Sequence, residues 1–353
     1  MTQTVSPRSW PDLLAVLSAG DDLDAGATTW AMREILDGNA TPVQIAGFAV
    51  ALRVKGETVD ELRGLADEML AHATLLQVDE RVVDIVGTGG DRAQTVNIST
   101  MSAVVIAGAG IGVVKHGNRA ASSRSGSADV LEALGVRLDV PADEVLAVQR
   151  ESGITFCFAP VFHASFRHTA QPRRELGVPT PFNWLGPLTN PARPAAMAVG
   201  CANAHVAPIM AGVFASRGTD ALVFRGEDGL DEVTVSGPTR FWSTRDGGVE
   251  ESVLAPEDLG LERAPLSALR GGDAAENAAV FRAVVAGEHG PVRDAVLLNA
   301  ATGIAAHAGE SAAPLAQRLA AGIERARESI DSGAAQRVLD AWAAATQRHA
   351  PRD

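Results

Sequence analysis

The sequence predicts an α/β protein with a small all-helical domain and a larger domain on a mostly parallel, helix-covered sheet. Three observations carry this. Residues 1–77 place their apolar side chains at helical spacing. From Val82 onward short β-branched runs alternate with helical stretches, the pattern of strands joined by crossover helices. From residue 274 to the end the chain is Ala-rich and helical in pattern. A chain of 353 residues can bury a sizeable core in one large domain and a smaller one.

In the first segment Trp10, Leu13, Leu14 and Leu17 share one helix face, as do Ile45, Phe48, Ala49 and Leu52 after a Thr41-Pro42 start signal. Thr58 and Glu61 form a capping box before Leu62, Leu65 and Met69. No catalytic constellation lies here, so these apolar faces pack on each other or on a second subunit. Val82, Val83, Ile85 and Val86 then form a strand that breaks into Gly87-Thr88-Gly89-Gly90-Asp91. Thr95, Asn97, Ser99 and Thr100 can cap the helix expected over 101–108. A second strand, Val113-Val114, delivers Lys115-His116-Gly117-Asn118-Arg119, so two strand ends present polar loops at one sheet edge. Beyond it, Ser127 is expected to cap a helix stopped by Gly135, and another helix is expected over 141–150. Strands are expected from Ile154 to an end at Pro160, at 197–202 and at 222–224.

The formal net charge of −13 argues against a nucleic-acid partner, which needs a wide basic footprint. Against that background Arg92, Lys115, His116, Arg119 and Arg124 form a local basic island suited to a small anion. Lys occurs only at Lys55 and Lys115, which singles out Lys115 as a point charge in a polar loop. Cys157 and Cys201 fall in apolar runs and read as small buried hydrophobes in a reducing compartment. The start lacks a signal-peptide pattern, and the longest nearly apolar run, 103–114, is too short to span a bilayer. A cytoplasmic location without membrane contact is expected.

The glycine loop matches neither the dinucleotide fingerprint nor the Walker loop. Its three glycines let backbone N–H groups approach phosphate oxygens, the following helix points its positive end at the same place, and a basic loop lies in the same strand-helix-strand unit. Together they describe a polyanion site. Asp231-Glu232, after the strand ending near Phe224, can hold a hard cation such as Mg²⁺ or be an ordinary surface pair. Arg173, on a helix after Pro172, can grip a carboxylate with its planar fork or sit solvated. His116, His163 and His168 invite a general-base role, but His116 can simply shape its loop and the other two can equally serve packing, so none receives an acid/base role.

Several motifs resemble the anthranilate phosphoribosyltransferases: GTGGD from Gly87, the N-x-S-T from Asn97, KHGNR from Lys115 followed by Ala120, Ala121, Ser122 and Ser123, and SGSAD from Ser125. The likeness continues through RRELG from Arg173, Phe182-Asn183, GPLTNP from Gly186 and DGLDE from Asp228. The resemblance implies transfer of a 5-phosphoribosyl group from 5-phosphoribosyl 1-pyrophosphate to anthranilate. It implies the fold of class II nucleoside phosphorylases, usually dimeric through the helices. The helical domain would be completed by about 162–192, leaving 78–161 and 193–353 as the α/β domain. The implied donor site comprises Gly87, Thr88, Gly89, Gly90, Asp91, Thr95, Asn97, Ile98, Ser99, Thr100, Lys115, His116, Gly117, Asn118, Arg119, Ala120, Ala121, Ser122, Ser123 and Ser127. Arg173 would hold the anthranilate carboxylate. Of two Mg²⁺ ions, Glu232 would contact both, Asp231 one, and Ser99 the ion on the pyrophosphate. This chain departs from relatives at Phe166, where Tyr is frequent, at Arg225, where His is common, and at Pro179, where Arg is frequent. A pyrimidine nucleoside phosphorylase and a non-catalytic nucleic-acid-binding relative of the same fold remain as alternatives. Residues 271–278 and 293–299 also resemble family patterns and read as helix starts and polar links that brace the glycine loop.

Overall fold

The computed structural model describes residues 8–119, 124–309 and 311–351. The chain divides into two compact units, Met1–Leu75 with Ala159–Pro191, and Leu76–Phe158 with Ala192–Asp353. In chain order α1 (Trp10–Ser18), α2 (Ala25–Leu36), α3 (Pro42–Lys55) and α4 (Val59–Ala71) open the helical unit. Next come β1 (Val83–Gly87), α5 (Ile98–Gly108), β2 (Val113–Gly117), α6 (Ser127–Ala133), α7 (Val145–Ser152) and β3 (Ile154–Phe158). Short helices α8 (Ala159–Phe162), α9 (Ala170–Leu176) and α10 (Leu185–Leu188) belong to the helical unit again. The chain continues through β4 (Ala196–Gly200), α11 (Val206–Ser216), β5 (Asp220–Gly226), β6 (Thr239–Arg245) and β7 (Gly248–Leu254). It closes with α12 (Ala274–Val285), α13 (Pro291–His307), α14 (Leu315–Asp331) and α15 (Ala334–His349).

The helical unit is cored by Trp10, Leu13, Leu17, Phe48 and Leu52, and Trp10 meets Trp30 and Phe48 at ring distances of 5.3 and 6.0 Å. The capping box expected at Thr58/Glu61 forms, and Thr41, expected only as a start signal, makes a second one with Gln44. Glu61 serves twice, since its carboxylate also accepts from Leu23 N–H and from Lys55.

In the larger unit the seven strands run in the order β3-β2-β1-β4-β5-β6-β7. The first five are parallel, and β6 and β7 add an antiparallel hairpin. β1 therefore lies where the strand order reverses, with the crevice for a ligand at its carboxyl end. α5 and α13 are buried along nearly their whole length, which is why their sequences carry little helical amphipathicity.

Local expectations shift in four places. Asn97 occupies the cap position of α5 without a side-chain capping bond. Ser127 is the first residue of α6 rather than its cap; Gly126 takes the cap position, and Asp129 reaches back to Gly126 N–H at 2.8 Å. The helix expected over 141–150 occupies Val145–Ser152, because Pro141 to Glu144 form turns. The β6–β7 hairpin adds two strands beyond those expected, and its turn is Asp246-Gly247 with φ of 49° and 72°. No helix among the described residues is long and apolar enough to cross a membrane.

Candidate active site

β1 and β4 both end in glycine, and their register sets Gly87 opposite Gly200. A Cβ on Gly87 would lie 2.2 Å from Asp231 Oδ2, and one on Gly200 would lie 1.7 Å from the Asp231 carbonyl oxygen. The bare strand ends let the 227–238 loop, which follows β5, cross the carboxyl edge of the sheet. That loop is closed on itself by Asp228, whose carboxylate accepts from the Thr234 hydroxyl at 2.6 Å, the Ser236 hydroxyl, and Leu230 N–H at 3.2 Å.

The glycine loop meets it directly: Gly89 N–H donates to Asp231 Oδ2 at 2.6 Å. Gly89 and Gly90 have φ of 71° and 89°, as expected for the turn, but Arg92 and Gln94 are also left-handed at 61° and 55°. Such conformations cost non-glycine residues about 1–2 kcal/mol each. They are held by a short pairing in which Gly271 N–H bonds Gln94 O at 2.8 Å and Val96 N–H bonds Leu269 O at 2.9 Å. Asn97, freed from capping, links three loops. Its Nδ2 donates to Ser125 O at 3.1 Å and its Oδ1 accepts from Asn277 Nδ2 at 2.9 Å, while Asn277 Oδ1 accepts from Gly272 N–H at 2.8 Å. Thr100 donates its hydroxyl to Ser127 at 3.1 Å. The bracing read into 271–278 is therefore present, one step from the glycines.

Charge is concentrated in the floor of this site. Lys115 is 1 % exposed, donates to Ile85 O, and is drawn by Asp84 and Glu232. Burial pushes its ammonium pKa down, and the two carboxylates oppose that shift. Asp84 also accepts from His116 N–H at 3.2 Å. Asp231 and Glu232 are buried and both carboxyls are pushed up, chiefly by burial. Asp91 adds to the shift of Asp231, and Asp231 to that of Glu232. The N–H of Gly89 favours the charged form of Asp231, as Lys115 and the N–H of Ser99 do for Glu232. Crowded carboxylates with one ammonium between them are relieved by a hard cation. Among the described residues no three His, Cys, Asp or Glu side chains converge on one metal position. Asp231 and Glu232 are the carboxylates here that could hold a hard cation, for which Mg²⁺ commonly takes one or two carboxylates with water and phosphate oxygens.

Arg119 faces α6: it bonds Glu132 at 2.6 and 2.9 Å and Asp129 at 3.1 Å, and lies 5.6 Å above the Phe158 ring. Asn118 ties its carbonyl to Ala128 N–H at 3.3 Å. Ala120, Ala121, Ser122 and Ser123 lie outside the described residues. Of the other expected donor-site residues, Ile98, Ser99 and Thr100 open α5 and Ser127 opens α6, and the rest fall on the ends of β1 and β2 and the loops after them.

Arg173 belongs to the helical unit, on α9. Its guanidinium stacks 5.4 Å from the Phe166 ring centre, and Phe166 meets Phe182 edge-on at 6.0 Å. Burial alone pushes its pKa down, and no carboxylate pairs with it among the described residues. His163 is buried, bonds Thr189 O at 2.8 Å through Nε2, and is pushed toward the neutral form by burial. His168 lies against Gly38.

Two contributors escape a reading of the sequence. Asp84 carries a signal, a lone carboxylate inside an apolar strand that demands a countercharge. Gly200 carries none, because what it touches lies far along the chain. Asn299, expected among the polar links that brace the glycine loop, bonds Val233 beside the carboxylate pair instead.

Comparison with known proteins gives a consistent result. The model described as "Glycosyl transferase family, a/b domain" matches residues 79–336, and that described as "Glycosyl transferase family, helical bundle domain" matches 11–73. The anthranilate phosphoribosyltransferase of a Nocardioides species is 62 % identical over 340 residues, covering 96 % of this chain and 99 % of its own. The crystal structure of the Thermus thermophilus enzyme of that name superposes with a TM-score of 0.88 at 43 % identity, over 95 % of this chain and 99 % of that one. The Saccharomyces cerevisiae enzyme, solved in complex with PRPP and Mg, gives 0.85 at 29 % identity, over 97 % and 99 %.

Proposed function

The chain belongs to the anthranilate phosphoribosyltransferase family, and from that membership we propose how its own residues carry the reaction. It transfers the 5-phosphoribosyl group of 5-phosphoribosyl 1-pyrophosphate to the amine of anthranilate, releasing pyrophosphate and giving N-(5-phosphoribosyl)anthranilate, in tryptophan biosynthesis. It is a Mg²⁺-binding enzyme. The observation that carries our assignment is the bond from Gly89 N–H to Asp231, which joins the phosphate-type loop to the carboxylate pair.

In this reading Gly87 to Asp91, Thr95 and Asn97 to Thr100 hold the phosphates of the donor with backbone N–H groups and hydroxyls. Lys115, His116, Gly117, Asn118, Arg119, Ala120 to Ser123 and Ser127 complete the donor site. Asp231, Glu232 and Ser99 hold the metal, as two ions. Mg²⁺ held there would supply positive charge against that developing on the departing pyrophosphate. The bond from the anomeric carbon to the pyrophosphate oxygen breaks as the amine nitrogen bonds that carbon, and the amine proton leaves afterwards. An arylamine is neutral near pH 7, so its lone pair needs aim more than a base. Arg173 supplies the aim: a half-buried guanidinium with no carboxylate paired to it among the described residues is matched to the anthranilate carboxylate, and the Phe166 ring supports it from one face.

We further infer a homodimer through the helical unit, supported by Val43, Val50 and Val54, which leave an apolar stripe of α3 81 %, 38 % and 81 % exposed. A cytoplasmic location fits the two free, buried cysteines. The test of function is loss of anthranilate fluorescence with 5-phosphoribosyl 1-pyrophosphate, with and without Mg²⁺, alongside pyrophosphate release. Mg²⁺-dependent loss matched by pyrophosphate is expected; no loss with folded protein would refute the reading.

A further inference from the structure

Asn299 sits in the middle of α13 with no exposed surface. Its amide does for Val233 what a neighbouring strand would do. Oδ1 accepts from Val233 N–H at 2.9 Å, and Nδ2 donates to Val233 O at 2.9 Å and to Ala295 O at 2.9 Å. Val233 is 3 % exposed, so its backbone groups have little access to water, and one planar side chain satisfies both.

The position matters because Val233 follows Glu232. The N–H of Val233 and the carbonyl of Glu232 belong to one rigid peptide plane. Fixing that plane fixes the backbone torsion from which the Glu232 side chain departs. Gly89 anchors the Asp231 carboxylate from the other side, and Asp228 closes the loop ends. Of these contacts, the one from Asn299 reaches the loop from a helix packed on the sheet, 66 residues further along the chain.

We propose that Asn299 is a positioning residue for the divalent cation, holding Glu232 in the orientation that binds metal; this rests on the reading of Asp231 and Glu232 as metal ligands. Without the amide, the Glu232–Val233 peptide samples other planes, and metal affinity falls by the fraction of time the binding orientation is lost. Outer contacts of this kind change metal affinity by roughly 10–100-fold.

The test uses Mn²⁺ as a paramagnetic substitute, titrated by electron paramagnetic resonance against the full chain with pyrophosphate and no anthranilate. Asn299→Ala is expected to weaken Mn²⁺ binding about tenfold. It should raise the Mg²⁺ needed for half-maximal turnover in the same ratio, leaving the anthranilate KM and turnover at saturating Mg²⁺ within about twofold, which a merely structural loss would not do. Unchanged Mn²⁺ affinity in folded Asn299→Ala overturns the proposal. Asp231→Asn combined with Glu232→Gln separates it from the reading beneath: if that variant binds Mn²⁺ like the wild type, the metal assignment itself fails. Should Asn299→Ala not fold, hydrogen exchange at the Val233 amide of the wild type decides. Added Mg²⁺ and pyrophosphate must slow it, and exchange indifferent to them overturns the proposal.

Discussion

The carboxylates of the larger unit and the guanidinium of the helical unit are held by different means. Asp231 and Glu232 are buried among like charges, and each is fixed by backbone N–H groups and by a loop tied at several points. Arg173 rests on an aromatic face, with a second aromatic ring behind that one. The first arrangement stores repulsion that a cation relieves, and demands a rigid frame because crowded like charges would otherwise move apart. The second stores only incomplete solvation, which a softer support can sustain.

Removing the stored charge on the larger unit is expected to have the largest effect. Asp231→Asn with Glu232→Gln should lower Mg²⁺-dependent turnover about 10³-fold, read from anthranilate fluorescence. A loss below about tenfold would take these residues out of the metal site. Leaving the charge but displacing its frame comes next: the Cβ of Gly200→Ala meets the Asp231 carbonyl at 1.7 Å, so turnover should fall about 10²-fold while Arg173-dependent anthranilate binding persists.

On the acceptor side the same two manipulations should separate in size. Arg173→Ala is expected to raise the anthranilate KM about 50-fold, the loss of a charge-assisted bidentate pair. Phe166→Ala, which keeps the charge and removes its support, should raise it only about fivefold. Equal effects would mean that the ring touches the acceptor more than it steers the arginine. The smallest effect concerns charges that already have partners. His349 lies between Glu144 at 2.7 Å and Glu151 at 2.6 Å, which raise its pKa. A group raised on folding stabilises fully below its ordinary value of 6.5 and loses that contribution as pH climbs through the folded value. The melting temperature of the wild type should therefore fall more between about pH 6 and 8 than that of His349→Gln, and parallel curves would show that the cluster contributes nothing.

Much of this is legible because it is local. The glycine loop, the start signal at Thr41-Pro42, the capping box at Thr58 and the carboxylate pair after a strand each lie within a few consecutive residues. The β6–β7 hairpin carries a readable sign in Asp246-Gly247, yet the polar, edge-exposed run of β7 hides the strand. Asn97 reads as a cap because a short polar side chain before a helix satisfies the local rule; its actual partner, Asn277, is 180 residues away. Lys115 is legible as a special charge, but its burial against Asp84 emerges only when β1 and β2 pair. Asn299 is legible as a polar link, but its partner Val233 and the close approach at Gly200 emerge only with the tertiary structure.

The sheet order has a consequence for how this chain matures. β1 is made early and finds β2 at once, but its other edge is filled by β4, which is synthesised only after β3 and the whole 159–191 segment of the helical unit. The bond between Gly89 and Asp231 spans 142 residues and requires β5 as well. A nascent chain thus carries one open, apolar strand edge through a long stretch of translation, a period when it is most exposed to wrong pairing. The proposed metal site is complete only once that edge is sealed and the bond from Gly89 to Asp231 has formed, late in the assembly of the sheet.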